Sequence, residues 1–223
     1  MILEGRNCEL YTEGKGGPVF FLGTGRADES QDALTGFVRE MKPRAENYSL
    51  FVFGCADWDQ DFAPWEAYTP DGRHFAGGAD ETVSFLTETA IPYVKEHIEN
   101  NGQYYTIGYS LSALFALYAV YQTDLFAGCA CVSGSLWFPH FMEYTKEHRP
   151  TAGVQVYLSL GGKEPNSKDP LMKTVGDCYK QMEKRLKQEP RVSKIIYEMN
   201  PGGHFGNADK RMAKGIVWLL NNQ

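Results

Sequence analysis

The sequence predicts an α/β fold with a mostly parallel central sheet and helices on both faces. Three observations carry that prediction. Short apolar runs such as Val19-Phe20-Phe21-Leu22 and Leu50-Phe51-Val52-Phe53 recur along the chain, as strands buried on both faces require. Longer amphipathic stretches separate them, as crossover helices between parallel strands would. One run, Tyr104-Tyr105-Thr106-Ile107, passes through a turn of small residues straight into an apolar helix from Leu114 to Tyr121. The 223 residues suffice for one domain, 1–223, with its own core. No repeat, linker or low-complexity segment interrupts them.

Taken in order, Pro18 to Leu22 reads as a buried strand that ends in Gly23-Thr24-Gly25, a tight loop. A helix over 29–41 and a strand over 49–53 follow. The segment from Cys55 to Gly78 reads as a loop ordered by its aromatics, among them Trp58, Phe62, Trp65 and Phe75. Asp80 is placed to cap a helix in which Val83, Leu86, Ala90, Ile91, Val94 and Ile98 recur at helical spacing. Pro92 should kink that helix, which ends near Asn101-Gly102. Beyond the strand over 104–107 and its helix come buried strands over 127–132 and 154–160. A helix over 169–188, a strand over 193–199 and a final helix complete the chain.

Composition excludes several classes. A hydrophobic share of 43% with 22% charged residues is that of a chain with a packed core. The net charge is -6, and the stretch densest in Lys and Arg, Lys180 to Arg191, is interleaved with Glu183 and Glu189 as on a solvated helix face. No nucleic-acid partner is therefore expected. No apolar run approaches the ~18 residues of a spanning helix. Met1 to Arg6 lack the basic-then-apolar pattern of a signal peptide, so a cytoplasmic location without a membrane partner is expected. The five cysteines include no C-x-x-C pair, which points to free thiols and away from disulfides or a zinc site.

The chemistry concentrates around Ser110. Gly108-Tyr109-Ser110-Leu111-Ser112 resembles the G-x-S-x-G elbow, in which a serine sits on a strained turn between strand and helix. Two residues either side of the serine the chain folds back on itself, so those positions must be small; Ser112 is small without being glycine. The helix start supplies free N–H groups, and the Leu111 amide is the natural donor to an oxyanion. A second donor should come from the loop after an earlier strand, the Thr24 amide or alternatively that of Gly25.

A serine needs a base within hydrogen-bond reach. Of the five histidines, His97 lies in a predicted helix, His148 in a charged stretch, and His74 and His140 in loops. His204 differs, because Gly202-Gly203-His204-Phe205-Gly206 lies between the last strand and the last helix, where the ring can reach the carboxyl edge of the sheet. The orienting acid should follow the strand between serine and histidine, which offers Glu164 near the strand end and Asp169 as the alternative. Trp58, Trp65, Trp137 and Phe138 lie on loops that could wall a substrate pocket. A flavodoxin-like phosphate site is disfavoured, because Gly23-Thr24-Gly25 lacks the full glycine fingerprint and Asp28-Glu29 would repel phosphate.

With these residues assembled, the chain resembles the putative-esterase family of the α/β-hydrolase superfamily, whose relatives include ferric-siderophore esterases, S-formylglutathione hydrolases and mycolyltransferases. The resemblance extends to Asp61-Phe62-Ala63-Pro64-Trp65, Gly77-Gly78-Ala79-Asp80, Ile91-Pro92, Ser133-Gly134-Ser135-Leu136-Trp137-Phe138, Leu160-Gly161-Gly162-Lys163-Glu164 and Gly203-His204. It implies an α/β-hydrolase fold without a large lid domain, and a Ser110, Glu164 and His204 site that works without metal or organic cofactor. The implied substrate is a small-molecule ester or thioester. The family often has a histidine at the end of the oxyanion strand, where this chain has Leu22-Gly23-Thr24. An acyltransferase or peptidase on the same residues, or a silent scaffold that binds a ligand or partner, are the competing readings. The oligomeric state is not set by these motifs.

Overall fold

The computed structural model describes residues 1–25 and 29–223, so Asp28 lies outside the described residues. The chain runs β1 (Ile2–Leu3), β2 (Arg6–Glu13), β3 (Val19–Thr24), α1 (Glu29–Met41) and β4 (Tyr48–Gly54). Then come α2 (Trp58–Asp61), β5 (Ala67–Tyr68), β6 (His74–Phe75), α3 (Ala79–Ser84), a π-helical segment over Phe85–Ala90 and α4 (Ile91–His97). The second half is β7 (Tyr104–Tyr109), α5 (Leu111–Gln122), β8 (Phe126–Val132), α6 (Phe141–Glu147), β9 (Val154–Gly161), α7 (Val175–Gln188), β10 (Val192–Asn200) and α8 (Ala208–Leu220). Eight strands form one sheet in the order β1-β2-β4-β3-β7-β8-β9-β10. From β4 to β10 every neighbouring pair is parallel, while β2 pairs antiparallel with β4 and β1 with β2.

Period-2 alternation sorts the strand side chains into two cores. Phe21, Phe51 and Phe53 face the layer that holds the π-helical segment, α4, α5 and α7; Phe20, Leu22, Leu50 and Val52 face α1 and α8. Each fully buried Phe or Leu is worth roughly 2–3 kcal/mol relative to exposure, so both faces need a helical cover. Helix α5 is buried without a break from Leu111 to Val120, because α3 and the 55–78 region cover the side that faces away from the sheet. Phe62 meets Phe115 there at 5.5 Å between ring centroids, and the Tyr118 hydroxyl donates to Asp80 Oδ1 at 2.7 Å.

Several expectations need correction. Strand β2 leaves little alternation in Arg6-Asn7-Cys8-Glu9-Leu10, since most of its side chains are half-buried at an edge position, and the sequence reading missed it. Gly23 and Thr24 belong to β3 and not to a loop; Gly23 is required because a Cβ there would lie 2.5 Å from the Phe62 ring. Asp80 does not cap its helix: Gly78 holds that position and Asp80 sits in the first turn. The helix is interrupted as Pro92 demanded, but by a wide π-helical segment just before the proline, which absorbs its missing N–H. The helix after β9 begins at Val175, not at 169, and α6 was not foreseen. The 55–78 loop carries α2 and the β5–β6 hairpin.

That loop is tied down on two sides, by β2 and by the segment before α6. Arg6 of β2 pairs with the buried Asp61 at 2.8 Å, and Asp61 also accepts from the Ala56 N–H at 2.8 Å. Trp65 donates its indole N–H to Pro139 O at 3.1 Å and packs on Phe138 and Tyr144. Cys8, Cys55, Cys129, Cys131 and Cys178 are free; burial pushes the Cys131 thiol up to about 12, so it is inert at neutral pH.

Candidate active site

Strand β7 ends and α5 begins at one residue, Ser110. Its backbone has φ 62° and ψ −122°, a left-handed conformation that a side chain adopts only when the surroundings force it. Here the forcing contact is close: a Cβ on Gly108 would lie 2.2 Å from Ser112 O and 2.3 Å from its carbonyl carbon. Ser112 is buried, and its hydroxyl is 3.0 Å from both the N–H and the C=O of Tyr109. Its departure from glycine therefore adds a tie across the turn. The Ser110 N–H is held by Val132 O at 3.2 Å, and Leu111 opens α5, where the first N–H groups have no helical partner.

His204 stands in the loop between β10 and α8, which is shaped by Gly202 at φ +91° and Asn207 at φ 55°. Its Nε2 is 3.1 Å from Ser110 Oγ, and its Nδ1 is 2.8 Å from Glu164 Oε2. A carboxylate accepts only, so the Nδ1 proton faces Glu164 and leaves Nε2 free to accept from the serine. Glu164 opens a 3-10 turn over Glu164–Asn166 just after β9, and its side chain is only 5% exposed. Burial pushes its carboxyl up, but hydrogen bonds from His204, Ser133 Oγ (2.6 Å) and the Gly161 N–H (2.7 Å) outweigh that and hold it below the ordinary glutamate range. Glu164 is thus placed as an ionised acceptor.

The other candidates are distributed as follows. Asp169 does not approach His204; its Oδ1 accepts from the Leu171 and Met172 N–H groups, each at 2.8 Å, and caps the short turn before α7. Thr24 ends β3, which is the sheet neighbour of β7, and since Leu22 is level with Ile107, Thr24 lies beside the end of β7 next to the elbow. Its hydroxyl donates to Phe53 O at 3.3 Å, and the Thr24 and Gly25 carbonyls both accept from the Cys55 N–H at 3.2 Å. Trp58 and Trp137 line the cavity above Ser110, while Trp65 and Phe138 pack behind it in the aromatic cluster.

That cavity has a volume of about 430 Å³ and includes Ser110, Leu111, Glu164 and His204. Phe75, Met172 and Phe205 complete its apolar wall, and Arg73 and Lys163 stand at its edge. Arg73 is already engaged by Asp59 (2.5 and 3.0 Å) and lies over the Phe75 ring. A larger recess of about 670 Å³ opens at the opposite, amino edge of the sheet, lined by residues such as Gly17, Lys42, Asn47 and Asn101. It contains no serine, cysteine or histidine, so size alone does not mark the functional site. Among the described residues no group of three or more His, Cys, Asp or Glu is placed to hold a metal ion. No described helix is long and apolar enough to cross a membrane.

Sequence reasoning missed three residues at the site. Ser133 follows β8 with a positive φ of 49°, Tyr109 precedes the serine, and Arg211 lies in the first turns of α8. Only Ser133 left a signal, as the first residue of a Ser-Gly-Ser string after a strand.

A mostly parallel sheet covered on both faces, with a strained serine elbow at its carboxyl edge and no inserted lid among the described residues, defines an α/β-hydrolase fold. The family model described as Putative esterase matches residues 42–204. The chain belongs to that family and is an esterase. In fold it is similar to an IroE-like serine hydrolase from Shewanella oneidensis (TM-score 0.80, 16% identity, 97% of this chain and 76% of that one). It is also similar to siderophore hydrolase EstA from Aspergillus nidulans (TM-score 0.71, 16% identity, 98% and 96%). The enterobactin esterase FES from Shigella flexneri follows at TM-score 0.67 and 17% identity, with 97% of this chain and 56% of that one covered. No curated protein matches the sequence.

Proposed function

We propose that Ser110, His204 and Glu164 act as a catalytic triad that hydrolyses a small-molecule carboxylic ester through an acyl-enzyme. The observation that carries the reading is the unbroken relay from Ser110 Oγ to His204 (3.1 Å) to Glu164 (2.8 Å) at the floor of a cavity. In the first half-reaction His204 Nε2 takes the Ser110 proton as Oγ bonds to the ester carbonyl carbon. The oxyanion that forms lies against the Leu111 N–H, with the Thr24 amide as the second donor. His204 then returns the proton to the departing alkoxide as the ester C–O bond breaks. Water repeats the sequence on the acyl-enzyme, releasing the acid and restoring Ser110. Glu164 stays ionised throughout and stabilises the imidazolium.

The wall of Trp58, Phe75, Trp137, Met172 and Phe205 suits an ester with an aromatic or apolar part. The names of the fold neighbours EstA and FES make siderophore esters the first substrates to try. Intact mass after treatment with a fluorophosphonate tests the mechanism. One adduct is expected on the wild type, none on Ser110→Ala, and labelling slowed by at least 10²-fold on His204→Ala. A folded wild type that takes no label would refute the triad.

A further inference from the structure

Arg211 occupies a position that burial and the helix dipole both make costly for a cation. It is a cation in the first turns of α8, the end of the helix dipole that repels positive charge. Its side chain is 3% exposed, and its Nε has no hydrogen-bond partner. Burying a guanidinium costs several kcal/mol, and a buried ion pair can often be replaced by apolar residues of similar volume without loss of stability. What the position does provide is a set of connections that converge on the candidate site.

Nη2 donates to Glu164 Oε1 at 3.2 Å and to Ser133 Oγ, which itself donates to Glu164 Oε1. Oε1 is thereby saturated, and Oε2 is the oxygen left to face His204. Nη1 donates to the Tyr109 hydroxyl at 2.8 Å, and the guanidinium stands 5.4 Å from the Tyr109 ring centroid. The Tyr109 hydroxyl donates in turn to the His204 carbonyl at 2.5 Å. The loop that carries His204 has little else to fix it: a Cβ on Gly202, Gly203 or Gly206 would meet nothing within 4 Å. Its backbone is tied by the bonds from the Lys163 N–H to Gly202 O at 2.9 Å and from the Arg211 N–H to Asn207 O at 3.0 Å.

We propose that Arg211 is a positioning residue that holds the acid, the loop of the base and the turn of the nucleophile in one register; this rests on the triad reading above. One planar fork reaches the Glu164 carboxylate, the residue beside Ser110 and, through Tyr109, the backbone of His204. Lysine cannot reproduce this, because a single ammonium does not span separate acceptors in fixed directions. Arg211 also supplies positive charge to a carboxylate that otherwise faces His204, Tyr109 of β7, Tyr179 of α7 and Tyr197 of β10, with Lys163 next to it in the chain. Removing that charge lets groups in the site keep their protons to higher pH.

The test compares wild type with Arg211→Met, Arg211→Lys and Tyr109→Phe, each checked for folding by thermal melting. The readouts are kcat, KM and the pH profile on a chromogenic aryl ester. Arg211→Met should lower kcat by about 10–100-fold with KM within about twofold. It should also move the acid limb up by about one pH unit. Arg211→Lys should restore the acid limb but not kcat, and Tyr109→Phe should lower kcat alone. An unshifted acid limb with wild-type kcat in folded Arg211→Met would overturn the proposal. If that variant does not fold, wild-type kcat in both Arg211→Lys and Tyr109→Phe would overturn it. A wild type that fluorophosphonate does not label would sink the triad reading instead, so the two failures are separable.

Discussion

Gly108→Ala is the smallest perturbation with a large consequence. The new methyl carbon would lie 2.2 Å from Ser112 O, 2.3 Å from Ser112 C and 2.6 Å from Ala113 N. Real Cβ contacts do not fall below 3.0 Å, so the gap must open by about 0.8 Å (3.0 less 2.2). All three atoms are backbone, in the first turn of a helix buried from Leu111 to Val120, so no side chain can rotate out of the way. Either β7 or the start of α5 has to move, and both are packed at interior density. Overpacking of this kind costs roughly 3 kcal/mol. A displacement near 1 Å at the elbow should also slow reaction of Ser110 by about 10²-fold. Urea denaturation with an unchanged slope measures the first effect, and fluorophosphonate labelling under native conditions the second. A midpoint loss worth less than about 0.5 kcal/mol, together with wild-type labelling, would refute the steric account of the elbow.

Three further predictions concern the same site. Ser110→Gly should raise stability by about 1 kcal/mol, because φ 62° strains a side chain and suits glycine, and the urea midpoint reads the gain. Glu164 has its carboxyl held below the usual range, so its contribution to stability is complete above about pH 4.5, the ordinary glutamate value, and is lost as pH falls from there through the folded-state value. The stability of Glu164→Gln should therefore depend less on pH in that acid window than the wild type does; parallel curves would contradict the assignment. Trp58→Ala should raise KM for an aryl ester severalfold with kcat little changed, since Trp58 lines the cavity without touching the relay. A change confined to kcat would contradict that placement.

The fold was legible where burial writes a pattern. Strands β3, β4, β7, β8 and β9 are covered on both faces, and a strand buried on two sides is apolar along most of its length. Strand β2 has no such signature, because it lies near the sheet edge and alternates only weakly. Helix boundaries failed for a different reason. Asp80 and Asp169 are both good capping residues by chemistry, yet Asp80 is drawn off by the Tyr118 hydroxyl and Asp169 caps a shorter turn upstream of α7. A tertiary partner 38 residues away decided the first position, whereas a local one, the N–H of a residue three positions on, decided the second.

The same contrast separates the residues of the site. Ser110, His204 and Glu164 were readable because each stands at the end of a recognisable strand, and chain topology brings strand ends in a parallel sheet to one edge. Arg211 has no local mark: the chain has 22 Lys and Arg residues, and what sets this one apart is its burial beside the Glu164 carboxylate, which no neighbouring residue in the sequence announces. Tyr109 is equally anonymous, since its role depends on a carbonyl 95 residues later. A sequence motif records what the backbone must do at one place. The network behind His204 is a property of places that meet only in three dimensions, so a variant chosen from the motif alone would test the relay and leave its support untouched. Substituting Arg211 and Tyr109 separates the two: a relay that kept its full rate without them would be one that the backbone alone holds in register.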